Sequence, residues 1–248
     1  MRKSGPRSRR DFLRLCGGAS AALACGSPGL LAARPAAHQA YAKVLLVDRD
    51  GAPVRCEALG KHREYVFQYP YRATPCFLID LGEPLSGGNE LSTEDGRRYR
   101  WAGGVGPNRS VVAFSAICAH KLSHPSRVVS FIGYREQPVG FLNRQQQVER
   151  RAGVIQCCSE HSIYDPAAGA AVVSGPAPQP LAAIELRYEQ DALYATGVYG
   201  GELFARYFQQ FGERLMLEYL GSGYSAEVAD TSSVIPGEEF TRNRIRCG

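Results

Sequence analysis

Histidine is scarce in this chain and, outside the first segment, so is positive charge. Five histidines occur in 248 residues, His38, His62, His120, His124 and His161, and no helical stretch carries a paired-histidine motif. The formal charge is +5, yet residues 1–42 hold Arg2, Lys3, Arg7, Arg9, Arg10, Arg14 and Arg34 against Asp11 alone, so the remaining 206 residues carry −1. A near-neutral body excludes nucleic acid as a partner, because phosphate binding needs clustered cations to displace counterions. With 44% hydrophobic and 21% charged residues, the chain can bury a core in one domain or one and a half.

The first segment accounts for its own charge. "SRRDFLRL" at 8–15 places an arginine pair before 19 uncharged residues, Leu15 to Ala33, and resembles a twin-arginine export signal. Small residues follow, so cleavage after Ala40 or Ala42 would release a soluble periplasmic protein. Residues 15–33 are also just long enough to anchor the chain in a membrane, since about 17–25 residues span a bilayer. "ALACG" at 22–26 loosely resembles a lipoprotein box around Cys25, so soluble, anchored and lipidated forms all stay open. The twin-arginine route carries folded proteins, commonly with a cofactor, which directs attention to possible ligands.

Six of the eight cysteines lie beyond the signal: Cys56, Cys76, Cys118, Cys157, Cys158 and Cys247. In an oxidising compartment disulfides are the default expectation. Adjacent Cys157 and Cys158 fit it poorly, since neighbouring residues rarely bridge each other without strain, whereas Cys56 and Cys76 read as structural. Two short apolar runs end in paired thiol and imidazole groups. Val111 to Ile117 leads into Cys118-Ala119-His120, where positions i and i+2 project to one side of an extended loop. "GVIQCCSEHS" repeats the plan with Cys158-Ser159-Glu160-His161. Two thiolates and two imidazoles suit either a tetrahedral zinc site in a binding module without redox function or a 2Fe-2S cluster.

The flanking residues favour the cluster over zinc. After His161 come Ser162, Tyr164 and Asp165, then "SGPAPQPL" at 174–181. Over about residues 111–186 the sequence resembles the Rieske iron-sulfur family, including the small electron-transfer subunits of cytochrome bc complexes and arsenite oxidase. That resemblance implies Cys118, His120, Cys158 and His161 as cluster ligands, and Ser162 and Tyr164 as hydrogen-bond donors to cluster sulfurs. Gly175, Pro176, Ala177 and Pro178 would form the covering loop. Two ferric ions, two sulfides and two thiolates sum to zero charge, so reduction costs less Coulomb energy than in an all-cysteine centre. The outward imidazole N–H groups would couple electron to proton uptake.

The chain departs from the family in three ways. Between His120 and Cys158 lie 37 residues, an expected inserted hairpin or loop. Ser123 and Glu160 stand at the positions where a disulfide often joins the two ligand loops. The glycine usual between the ligand histidine and the serine is missing, which makes the cysteine ambiguous. Counting back from His161 selects Cys158; counting back from Tyr164-Asp165 selects Cys157 and puts Glu160 in the histidine position. The first count is favoured, because His161 is the only imidazole there, and Cys157 then reads as a buried apolar residue.

A Rieske oxygenase would need a second iron held by two histidines and a carboxylate, and only His62 and His124 remain, read as a surface turn and an exposed loop. The expected fold is mainly β: an antiparallel base sheet with an inserted cluster-binding subdomain in residues 43–200, then a helical extension and tail at 201–248. Phe204, Tyr207, Phe208, Phe211, Leu215 and Tyr219 recur at three- and four-residue steps, which predicts an amphipathic helix packed on the β core. "IELRYEQDALYATGVY" predicts a closing hairpin turning at Gln190-Asp191. The resemblance implies an electron-transfer component, with cytochrome b or another quinol oxidoreductase as donor and a c-type cytochrome as acceptor.

Overall fold

The computed structural model describes residues 37–143 and 145–247. The arginine pair, the apolar stretch 15–33 and Cys25 lie outside the described residues. Among the described residues no helix is long and apolar enough to cross a membrane.

The chain is mainly β. The first strands are β1 (His38–Val47), β2 (Glu64–Gln68), β3 (Pro75–Asp80), the hairpin β4 (Glu90–Ser92) and β5 (Arg98–Arg100), and β6 (Val111–Ser115). An inserted block follows: β7 (Val129–Ser130), β8 (Ile132–Arg135), β9 (Val139–Leu142), β10 (Val148–Arg151), β11 (Val154–Cys157), β12 (Ser162–Asp165) and β13 (Ala171–Ser174). The chain then returns through β14 (Ala183–Glu189) and β15 (Ala192–Tyr199) to helix α1 (Phe204–Glu218). It ends in β16 (Thr231–Ser233), β17 (Ile235–Pro236), the short helix α2 (Gly237–Phe240) and β18 (Asn243–Arg244).

Eight strands form the base sheet in the order β16-β1-β15-β14-β6-β3-β2-β17, and β13-β12-β11-β8 form a second sheet. The base sheet is antiparallel except where β16 runs parallel to β1. Alternation along β3 explains why it is buried on both faces. Cys76 and Leu78 join one apolar cluster with Phe67, Tyr69, Phe204 and Tyr207. Phe77 and Ile79 join the other, with Phe114, Trp101, Ile155 and Tyr164, which is where the inserted sheet meets the base sheet. Candidate ligand Cys118 belongs to this second cluster, and so does Cys157.

Helix α1 lays the expected stripe on the first cluster: Phe204, Tyr207 and Leu215 are buried, and Tyr71 meets Phe204 and Phe208 edge to face at 5.7 and 5.4 Å. The closing hairpin turns at Gln190 and Asp191, both in the left-handed region, as a two-residue hairpin turn requires. Strand β1 begins at His38, which pairs with Tyr199. Both cleavage points named above, after Ala40 and Ala42, therefore fall inside a strand. The polar tail is woven into the fold: β16 extends the sheet beside β1, β17 pairs with β2, and β18 runs parallel to β7.

Candidate metal centre

Cys118 lies shortly after the buried strand β6 and opens a tight turn, in which its N–H donates to Ser123 O at 2.8 Å and its carbonyl accepts from Leu122 N at 3.0 Å. On the other side, β11 and β12 pair Ile155 with Tyr164 and Cys157 with Ser162. Directly opposed residues of an antiparallel pair share a face, and so do residues two apart. Ile155, Cys157, Ser162 and Tyr164 thus all face the base sheet, where Cys118 waits. All are essentially inaccessible to solvent.

The two thiols that meet are Cys118 and Cys157. They share a hydrogen bond that lowers the Cys118 pKa to about 6 and raises that of Cys157. The pairing thus biases Cys118 toward thiolate and Cys157 toward thiol. The Tyr164 hydroxyl lies 3.3 Å from Cys118 Sγ and accepts from Ala119 N at 3.2 Å, adding to the depression of the thiol.

Two more polar atoms point to missing partners. His120 Nδ1 and Ser162 Oγ are buried with no hydrogen-bond partner, and burying such atoms unpaired costs about 1–3 kcal/mol each. A metal ion would satisfy the imidazole nitrogen, and an acceptor the hydroxyl. The covering segment is also present: a Cβ on Gly175, whose φ is +85°, would lie 2.6 Å from His161 O and Ser162 Cα, so the loop backbone rests directly on the second ligand turn. Its base is fixed by buried Gln179, which donates to Gly201 O at 2.6 Å and accepts from Glu94 N at 2.8 Å.

One expected ligand is engaged elsewhere. Cys158 is bonded to Cys247, 89 residues away, with Cα atoms 5.6 Å apart, and is therefore withdrawn from Cys118. This corrects the spacing argument that favoured Cys158. The pleat decides it: Cys157 faces inward with Ser162, so Cys158 faces outward toward the tail. His161 is exposed, at φ +58°, in the conformation a glycine would favour. Among the described residues no three His, Cys, Asp or Glu side chains converge as they stand on a single metal position. The residues present supply two adjacent thiols, one imidazole and two hydroxyls that fit a Rieske-type cluster, and leave its fourth ligand unassigned by position.

Sequence reasoning also missed the surroundings of the disulfide. Buried Arg135 donates from Nη2 to Ile245 O at 2.8 Å and from Nε to Gln156 Oε1 at 3.0 Å, holding the tail against β11. His124 is a second correction: rather than exposed, it is buried between the rings of Tyr207 and Phe211, each 4.8 Å away. Cys56 and Cys76 are buried and free. His62 is exposed, as expected, and its Nδ1 lies 3.0 Å from the Tyr134 hydroxyl.

No protein-family model matches the chain. Among solved structures it is similar to the soluble domain of the Rieske protein II (soxF) from Sulfolobus acidocaldarius, at 26% identity and a TM-score of 0.42, over 65% of this chain and 82% of that one.

Proposed function

We propose that this chain is an exported electron-transfer protein that carries a Rieske-type 2Fe-2S cluster, with Cys118, Cys157 and His120 among its ligands. The observation that supports this reading is the buried Cys118–Cys157 thiol pair, together with the unpartnered His120 Nδ1 and Ser162 Oγ. When bound, the cluster supplies one-electron transfer at a potential raised by imidazole ligation. The chain does the rest. Cys118 is already biased toward thiolate, the form that binds metal. Tyr164 holds its hydroxyl against that sulfur, Ser162 offers a second hydroxyl, and the base sheet and the Gly175 loop exclude water.

The Cys158–Cys247 disulfide supports the exported part of the reading, since structural disulfides persist in oxidising compartments. The donor is then a quinol, through cytochrome b or another oxidoreductase, and the acceptor a c-type cytochrome. The test is the visible absorption and reduced-state EPR of the as-isolated protein, with iron, sulfide and zinc determined. Iron and sulfide in equal amounts with a Rieske-type signal are expected. A colourless protein with stoichiometric zinc would overturn the reading in favour of a zinc-stabilised binding module.

A further inference from the structure

The first ligand turn, residues 118–123, is held in a shape its own residues disfavour. Leu122 lies at φ +57°, in the left-handed region that a Cβ makes unfavourable, and such backbone persists only where its surroundings over-determine it. Two hydrogen bonds close the turn on itself, from Cys118 N to Ser123 O and from Leu122 N to Cys118 O. A third comes from beyond it: His124 donates from Nδ1 to Leu122 O at 2.8 Å. With the proton on Nδ1, Nε2 is the acceptor for the Arg214 guanidinium. Arg214 is itself held by Glu218 at 3.1 Å, and the rings of Tyr207 and Phe211 clamp the imidazole. All four of these residues belong to α1.

The turn bears on the centre through its backbone. The N–H groups of His120 and Lys121 hydrogen-bond the Cys118 sulfur, and the Ser123 side chain hydrogen-bonds Cys157. Hydrogen bonds to cluster sulfurs help set the reduction potential, because they stabilise the negative charge that reduction adds. We propose that His124 is a positioning residue, which fixes Leu122 and with it the N–H groups aimed at Cys118, so that helix α1 tunes the centre although it supplies none of its ligands. The tuning rests on the cluster reading above; the hold of His124 on the turn does not.

The experiment compares the full chain as isolated with His124→Leu, which keeps an apolar side chain between the two rings and removes both ring hydrogen bonds. Its midpoint potential should fall, and hydrogen exchange read by mass spectrometry over residues 117–124 should quicken about tenfold relative to the β14–β15 hairpin. His124→Asn, whose amide N–H can stand where Nδ1 stood, should restore most of both, and Arg214→Met should lower the potential in the same direction. An unchanged potential in His124→Leu would overturn the proposal, and faster exchange beside it would leave His124 a structural prop alone. An Asn variant that behaves like Leu would replace the hydrogen bond by packing as the cause, and an unmoved potential in Arg214→Met would remove α1 from the link. A parent protein with no 2Fe-2S signal would sink the cluster reading and the tuning together, while the exchange measurement would still decide whether His124 holds the turn. Circular dichroism and an intact Cys158–Cys247 bond show that each variant has folded.

Discussion

Replacing Cys158 by Ser separates the two roles that adjacent cysteines can play. The Cys158–Cys247 bond closes a loop of 89 residues, and the chain-entropy relation gives about 4.6 kcal/mol for a loop of that size, with measured disulfides nearer 2–4 kcal/mol. The tail has other holds, including β18 on β7 and a 2.7 Å ion pair between Arg244 and Glu64, so a loosened tail stays docked and the loss is mainly entropic. About 3 kcal/mol is therefore expected from Cys158→Ser or Cys247→Ser, a fall in Tm of roughly 6–12 °C for a domain of this size. Denaturant unfolding with and without reductant measures it: reductant should destabilise the parent protein by the same amount and leave both variants unaffected. The cluster spectrum should survive in both. Cys157→Ser should abolish that spectrum and keep the sensitivity to reductant. A spectrum lost in Cys158→Ser but kept in Cys157→Ser would refute the assignment of the two thiols.

Buried His124 donates from Nδ1 to Leu122 O and accepts from Arg214 at Nε2, and burial lowers its pKa to about 4. Because the unfolded chain takes up a proton near pH 6.5 that the folded protein refuses, stability should fall by about 1.4 kcal/mol per pH unit from 6.5 down to 4. His124→Gln should flatten that slope, and parallel pH curves for the two proteins would disprove the cause. Gly175→Ala forces a Cβ onto the His161 carbonyl in a left-handed conformation; a loss of about 1–3 kcal/mol and faster bleaching of the cluster are expected, read by thermal melts and absorbance decay. Tyr164→Phe removes the hydroxyl beside Cys118 and leaves Ala119 N–H unpaired. It should cost about 1–3 kcal/mol and lower the midpoint potential; Ser162→Ala should also lower the potential but cost little stability, because its buried hydroxyl has no protein partner to lose. Unchanged potentials in both would show that neither hydroxyl reaches the centre.

The sequence by itself determined the elements whose information is local. Short β-rich runs became β1, β2, β3 and β6, Gln190-Asp191 became the hairpin turn, and the three- and four-residue stripe became α1. It also placed Ser162, Tyr164 and the Gly175 loop near the second box, because their spacing to one another is short. Only the tertiary structure decided what depends on contacts between distant segments. The choice of Cys157 over Cys158 hangs on the register of β11 with β12, since a shift of one residue exchanges the two faces. The bond to Cys247 depends on β18 being drawn beside β7, and His124 is buried because α1 folds back over it. Local spacing constrains neighbours through bond geometry, whereas contacts across tens of residues are selected by which burial and pairing the whole chain can satisfy together.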